Sequence, residues 1–169
     1  MLRIQGDCLS KEDKKLLKKA TIYTMDYLLP RNQRGDSRLI ITVSDPDEEQ
    51  TKLKNKATCQ CNIGPTGRKT LRIWLDKSII RRRAKTHFNQ FKITIQDLLH
   101  ELIHAKQYLK GELVDGSGQY YKFCGKRYRL PDDDDLMGYY EQPHEIEAYG
   151  RERGLFKRFE EMLKEEGNA

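Results

Sequence analysis

The pentad His100-Glu-Leu-Ile-His104 constrains this chain more than any other stretch of it. Its surroundings read as helix. Thr94-Ile-Gln-Asp97 is a cap-like start, Leu98, Leu99, Leu102 and Ile103 recur at helical spacing, and Gly111 supplies a stop after about Leu109. Residues i and i+4 are neighbours on one helix face, so His100 and His104 can grip one metal ion. Glu101 lies beside the same ion, placed to take a proton from a metal-held water rather than to ligate. With four His and thirteen Glu in the chain, random placement yields this pattern only roughly 1% of the time.

A catalytic zinc takes three protein ligands and keeps one position for water. The segment 139–152 offers Glu141, His144, Glu145, Glu147 and Glu152 as the third ligand. Pro143 suits the first turn of a last helix over about 143–165. On that helix Glu145, Ala148, Tyr149, Glu152, Phe156, Phe159 and Leu163 share the one consistently apolar stripe. A carboxylate on a buried face needs a reason to be there, and a metal supplies one. Glu147 shares its stripe with Arg151, Gly154 and Arg158, which reads as solvated. Periodicity therefore favours Glu145, with Glu147 and His144 as rivals and a helix-dipole carboxylate as the plain structural alternative. Ala148, one turn on, lets this helix approach the histidine helix closely. Glu152, two turns on, is placed to hydrogen-bond a metal-held imidazole.

The rest of the chain reads as a frame for these two helices. Ser10-Lys-Glu-Asp13 is a capping box opening a helix with apolar Leu16, Leu17, Ala20, Tyr23, Tyr27 and Leu28, ended by Pro30. Residues 38–43, 57–63 and 70–75 read as strands, the last two joined by the turn Gly64-Pro-Thr-Gly67. In the last strand Leu71, Ile73 and Leu75 face one way and Arg72 and Trp74 the other, with Trp74 covering the second sheet face. Residues 44–56 with Pro46 read as a loop, 78–91 as a basic stretch with a short helix, 112–130 as a short hairpin, and 131–135 as a solvated acidic loop. Arg81-Arg-Arg83 and Lys85, near His87 and Phe88, read as solvated surface.

His100-Glu-Leu-Ile-His104 followed by a second helix bearing Glu145-x-x-Ala148 resembles the gluzincin class of zinc metallopeptidases. Small size and short spacing are similar to its minimal members, phage-encoded metallopeptidases among them. The run Leu-x-His-Glu-Leu-Ile-His also resembles the SprT-like proteases, which commonly use a third histidine and append a cysteine zinc ribbon; no CxxC pair stands here. The resemblance covers mainly residues 70–155. It implies an α+β, zincin-like fold: a small mixed sheet packed on the HExxH helix and a C-terminal glutamate helix. It implies zinc on His100, His104 and Glu145, Glu101 as general base, and a peptide or protein substrate added as a strand along an edge formed by Thr70–Leu75. Gluzincins often carry Asp, Asn or Glu four residues past the third ligand, where Tyr149 stands here. A second donor for the oxyanion is sought among Tyr139, Tyr140, Tyr128 and Tyr149.

Composition sets the outer limits. A length of 169 residues suits a single domain over 1–169. The absence of a long apolar run and of a signal-like start points to a cytoplasmic chain and away from a membrane span. Four cysteines are too few for a disulfide scaffold, and Cys59-x-Cys61 with Cys8 and Cys124 matches no standard zinc spacing. The net charge of +6 permits nucleic acid as a partner without requiring it. It leaves two alternatives to a plain peptidase: a DNA-associated protease of SprT-like type, and a non-catalytic metal-binding interaction module. Substrate specificity and oligomeric state are not written in the sequence.

Overall fold

The computed structural model describes residues 1–45, 57–77, 87–116, 119–132 and 134–167, and for 87–91 the backbone only. The architecture is α+β, with four α-helices and two sheets among the described residues.

The first sheet has four strands: β1 (Leu2–Gln5), β2 (Arg38–Ser44), β3 (Ala57–Ile63) and β4 (Lys69–Asp76), in the order β1-β2-β4-β3. β1 runs parallel to β2 and β2 parallel to β4, while β3 returns antiparallel to β4. A parallel pair needs a crossover element. Helix α1 (Lys11–Leu28) provides it between β1 and β2. The capping box at Ser10 and Asp13 forms, with each side chain bonded to the other residue's backbone N–H. Leu17, Ala20, Thr21, Thr24 and Met25 make the buried stripe of α1. Tyr27, expected on that stripe, lies exposed beneath the Arg158 guanidinium.

The sheet corrects one expectation. Thr70–Leu75 belongs to β4, which is paired on both sides, and the edge beyond it is β3. Burial explains the difference. β4 hides Leu71, Ile73, Trp74, Leu75 and Asp76, the near-continuous pattern of a central strand, whereas β3 is only half-buried. Trp74 covers the second sheet face and donates its indole N–H to Ser44 Oγ at 2.9 Å.

Helix α2 (His87–Lys110) lies at the centre, packed on β3, β4, α1 and the last helix. It starts earlier than the cap-like Thr94, which is buried inside the helix. Every residue from Leu98 to Gln107 is buried, as befits a helix covered on several sides. Its end is set by Gly111, whose φ of +70° closes the helix in the left-handed conformation. The basic stretch 81–85 and the loop with Pro46 lie outside the described residues.

The 112–130 hairpin is realised as a three-stranded meander of β5 (Leu113–Asp115), β6 (Tyr120–Phe123) and β7 (Lys126–Arg129). Cys124 and Gly125, at φ 49° and 80°, form its two-residue turn. The short helix α3 (Leu136–Tyr140) was not expected; Asp135 of the acidic loop caps it through Gly138 N–H. Helix α4 (Pro143–Gly167) then packs along α2. The core joins α1, α2 and α4 to one sheet face through Leu17, Ile41, Val43, Ile73, Leu75, Leu98, Leu102, Ala148, Phe156 and Phe159. No helix among the described residues is long and apolar enough to cross a membrane.

Candidate metal centre

The centre forms where α4 crosses α2. His100 and His104 stand one turn apart on α2, and their Nε2 atoms approach to 3.1 Å. Ala148 is fully buried on α4 and keeps that helix close, so Glu145 in its first turn reaches both rings. Glu145 Oε2 lies 3.1 Å from His100 Nε2 and Oε1 lies 3.3 Å from His104 Nε2. Tetrahedral bonds of about 2.0–2.1 Å put ligand atoms roughly 3.3–3.4 Å apart, so the three atoms have the spacing of ligands around one ion.

The outer nitrogens fix the tautomers. His100 Nδ1–H donates to Glu152 Oε2 at 2.9 Å, and His104 Nδ1–H donates to Gln107 Oε1 at 2.8 Å. Each imidazole then turns its Nε2 inward, the atom left to bind a metal once it is free of a proton. Two ring nitrogens and a carboxylate converge on one point, where a cation or a proton can sit. Among the described residues, this buried His-His-Glu group is the only one placed to hold a metal ion.

Protons compete for the same lone pairs. Burial disfavours a charged His100, but Glu145 and Glu152 outweigh it and push its pKa up to about 10. His104 is raised in the same way, with Glu145 prevailing over burial. Burial also opposes the Glu145 charge, yet hydrogen bonds from both histidines hold its carboxyl well below the usual carboxylate range. Glu101 is pushed up to about 7, chiefly by burial, with the two histidines pulling the other way.

A cavity of about 160 Å³ opens on this centre. Glu101, His104 and Glu145 line one side and the edge strand residues Ala57, Thr58 and Cys59 another, with Tyr108, Leu113, Tyr139 and His144 completing the wall. Of the four tyrosines weighed as donors, Tyr139 alone lines the cavity. Tyr149 packs on the His100 ring at 4.5 Å between centroids, Tyr140 packs on Tyr149, and Tyr128 stacks on Tyr121.

Of the rival third ligands, Glu147 falls elsewhere, and His144 stands beside the group without joining it, its Nε2 3.6 Å from Glu145 Oε1. His144 stays on the cavity wall, its ring 4.7 Å from Tyr121, and burial lowers its pKa to about 4. Glu147 is not on a solvated stripe as its neighbours implied. It is half-buried, with Oε1 on Lys106 at 2.9 Å and Oε2 on Gln107 at 3.0 Å. Gln107 went unnoticed in the sequence, although its i+3 spacing from His104 puts both on one helix face. Cys8, Cys59, Cys61 and Cys124 are free and do not gather around an ion.

No protein-family model, no curated protein and no solved structure matches this chain.

Proposed function

We propose that this chain is a zinc metallopeptidase of gluzincin type with a zincin-like fold, in which His100, His104 and Glu145 hold the ion. The observation that carries the reading is the convergence of two histidine Nε2 atoms and a carboxylate at 3.1–3.3 Å, beside a buried Glu101. A zinc ion held there would supply Lewis acidity for a carbonyl and an acidified water.

The remaining chemistry belongs to the chain's own residues. Glu101 is buried beside the two histidines and lines the cavity, within reach of a water held at the ion. That suits a group which accepts a proton from water and returns it to a leaving amine. Tyr139 offers a phenol donor from the cavity wall. Among the described residues the outer edge of β3 carries no further strand of its sheet, and its first residues line the cavity. An extended peptide pairing with that edge would pass over Glu101 and His104, which favours an endopeptidase.

The test is Glu101→Gln, assayed with wild type against a broad peptide library at matched zinc content. Cleavage by wild type and its loss in the variant, with zinc retained, is the expected result. A zinc-loaded wild type that cleaves nothing overturns the peptidase reading and leaves a metal-binding module.

A further inference from the structure

Gln107 is fully buried, one turn beyond His104, and each of its amide atoms is spoken for. Its Nε2 donates to the His144 carbonyl oxygen at 3.0 Å and to Glu147 Oε2 at 3.0 Å. Its Oε1 accepts the His104 Nδ1 proton at 2.8 Å. The carbonyl oxygen and the carboxylate can only accept, so the amide has one admissible orientation. Flipping it would press Oε1 against two acceptors and present an N–H to His104 Nδ1. His104 would then have to carry its proton on Nε2, the atom that faces Glu145 and His100.

Glu147 does not act alone. Its Oε1 is held by Lys106 Nζ at 2.9 Å and by Arg151 Nε at 3.1 Å. Lys106 is itself buried and also pairs with Glu112 Oε2 at 2.6 Å, just before β5. A buried ammonium shared by two carboxylates makes the Glu147 position costly to abandon.

We propose that Glu147, anchored by Lys106, locks the amide of Gln107 and thereby the tautomer of His104, so that Gln107 and Glu147 are positioning residues for the metal centre. This rests on the metal-binding reading of His100, His104 and Glu145. It gives Glu147 a part distinct from ligation: it acts two bonds away, through an amide and an imidazole. Partners of this kind typically contribute 10- to 100-fold to metal affinity.

The experiment measures zinc dissociation constants of the full chain by competition with a chromogenic chelator, for wild type, Gln107→Leu, Gln107→Glu, Glu147→Gln and the double variant Gln107→Glu with Glu147→Gln. Imidazole ¹⁵N–¹H spectra of the zinc-loaded proteins report whether His104 keeps its Nδ1 proton. Gln107→Leu is expected to lose roughly 10- to 100-fold in affinity. Gln107→Glu keeps an acceptor for Nδ1–H but turns its second oxygen on Glu147 Oε2 and the His144 carbonyl oxygen, so it should lose affinity. Adding Glu147→Gln gives that oxygen a donor and should recover part of the loss, a coupling that mere packing would not give. Glu147→Gln is isosteric and should show an intermediate loss with a weakened His104 Nδ1–H signal; it decides the matter if Gln107→Leu fails to fold. Wild-type affinity in both Gln107→Leu and Glu147→Gln overturns the lock alone. A wild type that binds no zinc overturns the metal centre and the lock together.

Discussion

Raising the pH should tighten zinc binding steeply, by an amount that follows from the site. Zinc needs the Nε2 lone pairs, so each bound proton must leave first. Glu145 and Glu152 push the His100 pKa to about 10 against the opposing effect of burial. Displacing that proton at pH 7 costs about a thousandfold in apparent affinity, and each pH unit below the pKa changes it about tenfold. Between pH 6 and 8 His100 alone gives about a 100-fold rise in affinity, and His104, also raised, adds up to a second factor of that size. Glu145 is held below the usual carboxylate range and contributes no slope there. Chelator competition across this window measures the slope directly. The metal-free protein should show the opposite trend. A raised folded-state pKa stabilises fully below the unfolded value near 6.5 and is lost as pH rises through about 10. Thermal unfolding in chelator should therefore weaken from pH 7 to 10 as His100 loses its proton. Zinc affinity that stays flat from pH 6 to 8 would refute the pairing of His100 with two carboxylates.

Two further outcomes follow from the packing of α4 on α2. Glu152→Leu removes the acceptor of His100 Nδ1–H at 2.9 Å and should weaken zinc binding by roughly 10- to 100-fold, read by the same competition. Ala148→Leu adds bulk at a fully buried position between the helices. It should cost roughly 1–3 kcal/mol in urea unfolding and lower zinc affinity by moving Glu145 away; unchanged values in both would contradict the close crossing.

The histidine pair, the apolar face around it and the position of Glu145 on the buried face beside it were legible because helical periodicity fixes neighbours on one face. Position 152 was legible for the same reason: the stripe carries it two turns past Glu145, where it meets His100 Nδ1. The sheet was harder. β1 has only four residues, of which Leu2 and Ile4 pack inward, too few to set a period. The order of β3 and β4 depends on tertiary pairing, and alternation within β4 alone does not reveal a neighbour on each side. Glu147 was misread because its own helix shows only Arg151 beside it, while Lys106 and Gln107 approach from α2. Thr94 imitates a cap because Ser/Thr-x-x-Asp patterns also occur inside helices that tertiary packing extends.

The most direct test is zinc stoichiometry with X-ray absorption of the metal shell, on wild type and Glu145→Gln. One zinc per chain, with two imidazole nitrogens and a carboxylate oxygen at about 2.0–2.2 Å and no sulfur, is the expected wild-type result. In Glu145→Gln the carboxylate contribution should vanish and affinity should fall. A wild-type shell containing the Cys59 sulfur, a shell unchanged in Glu145→Gln, or a chain that retains no zinc would contradict a centre built from His100, His104 and Glu145.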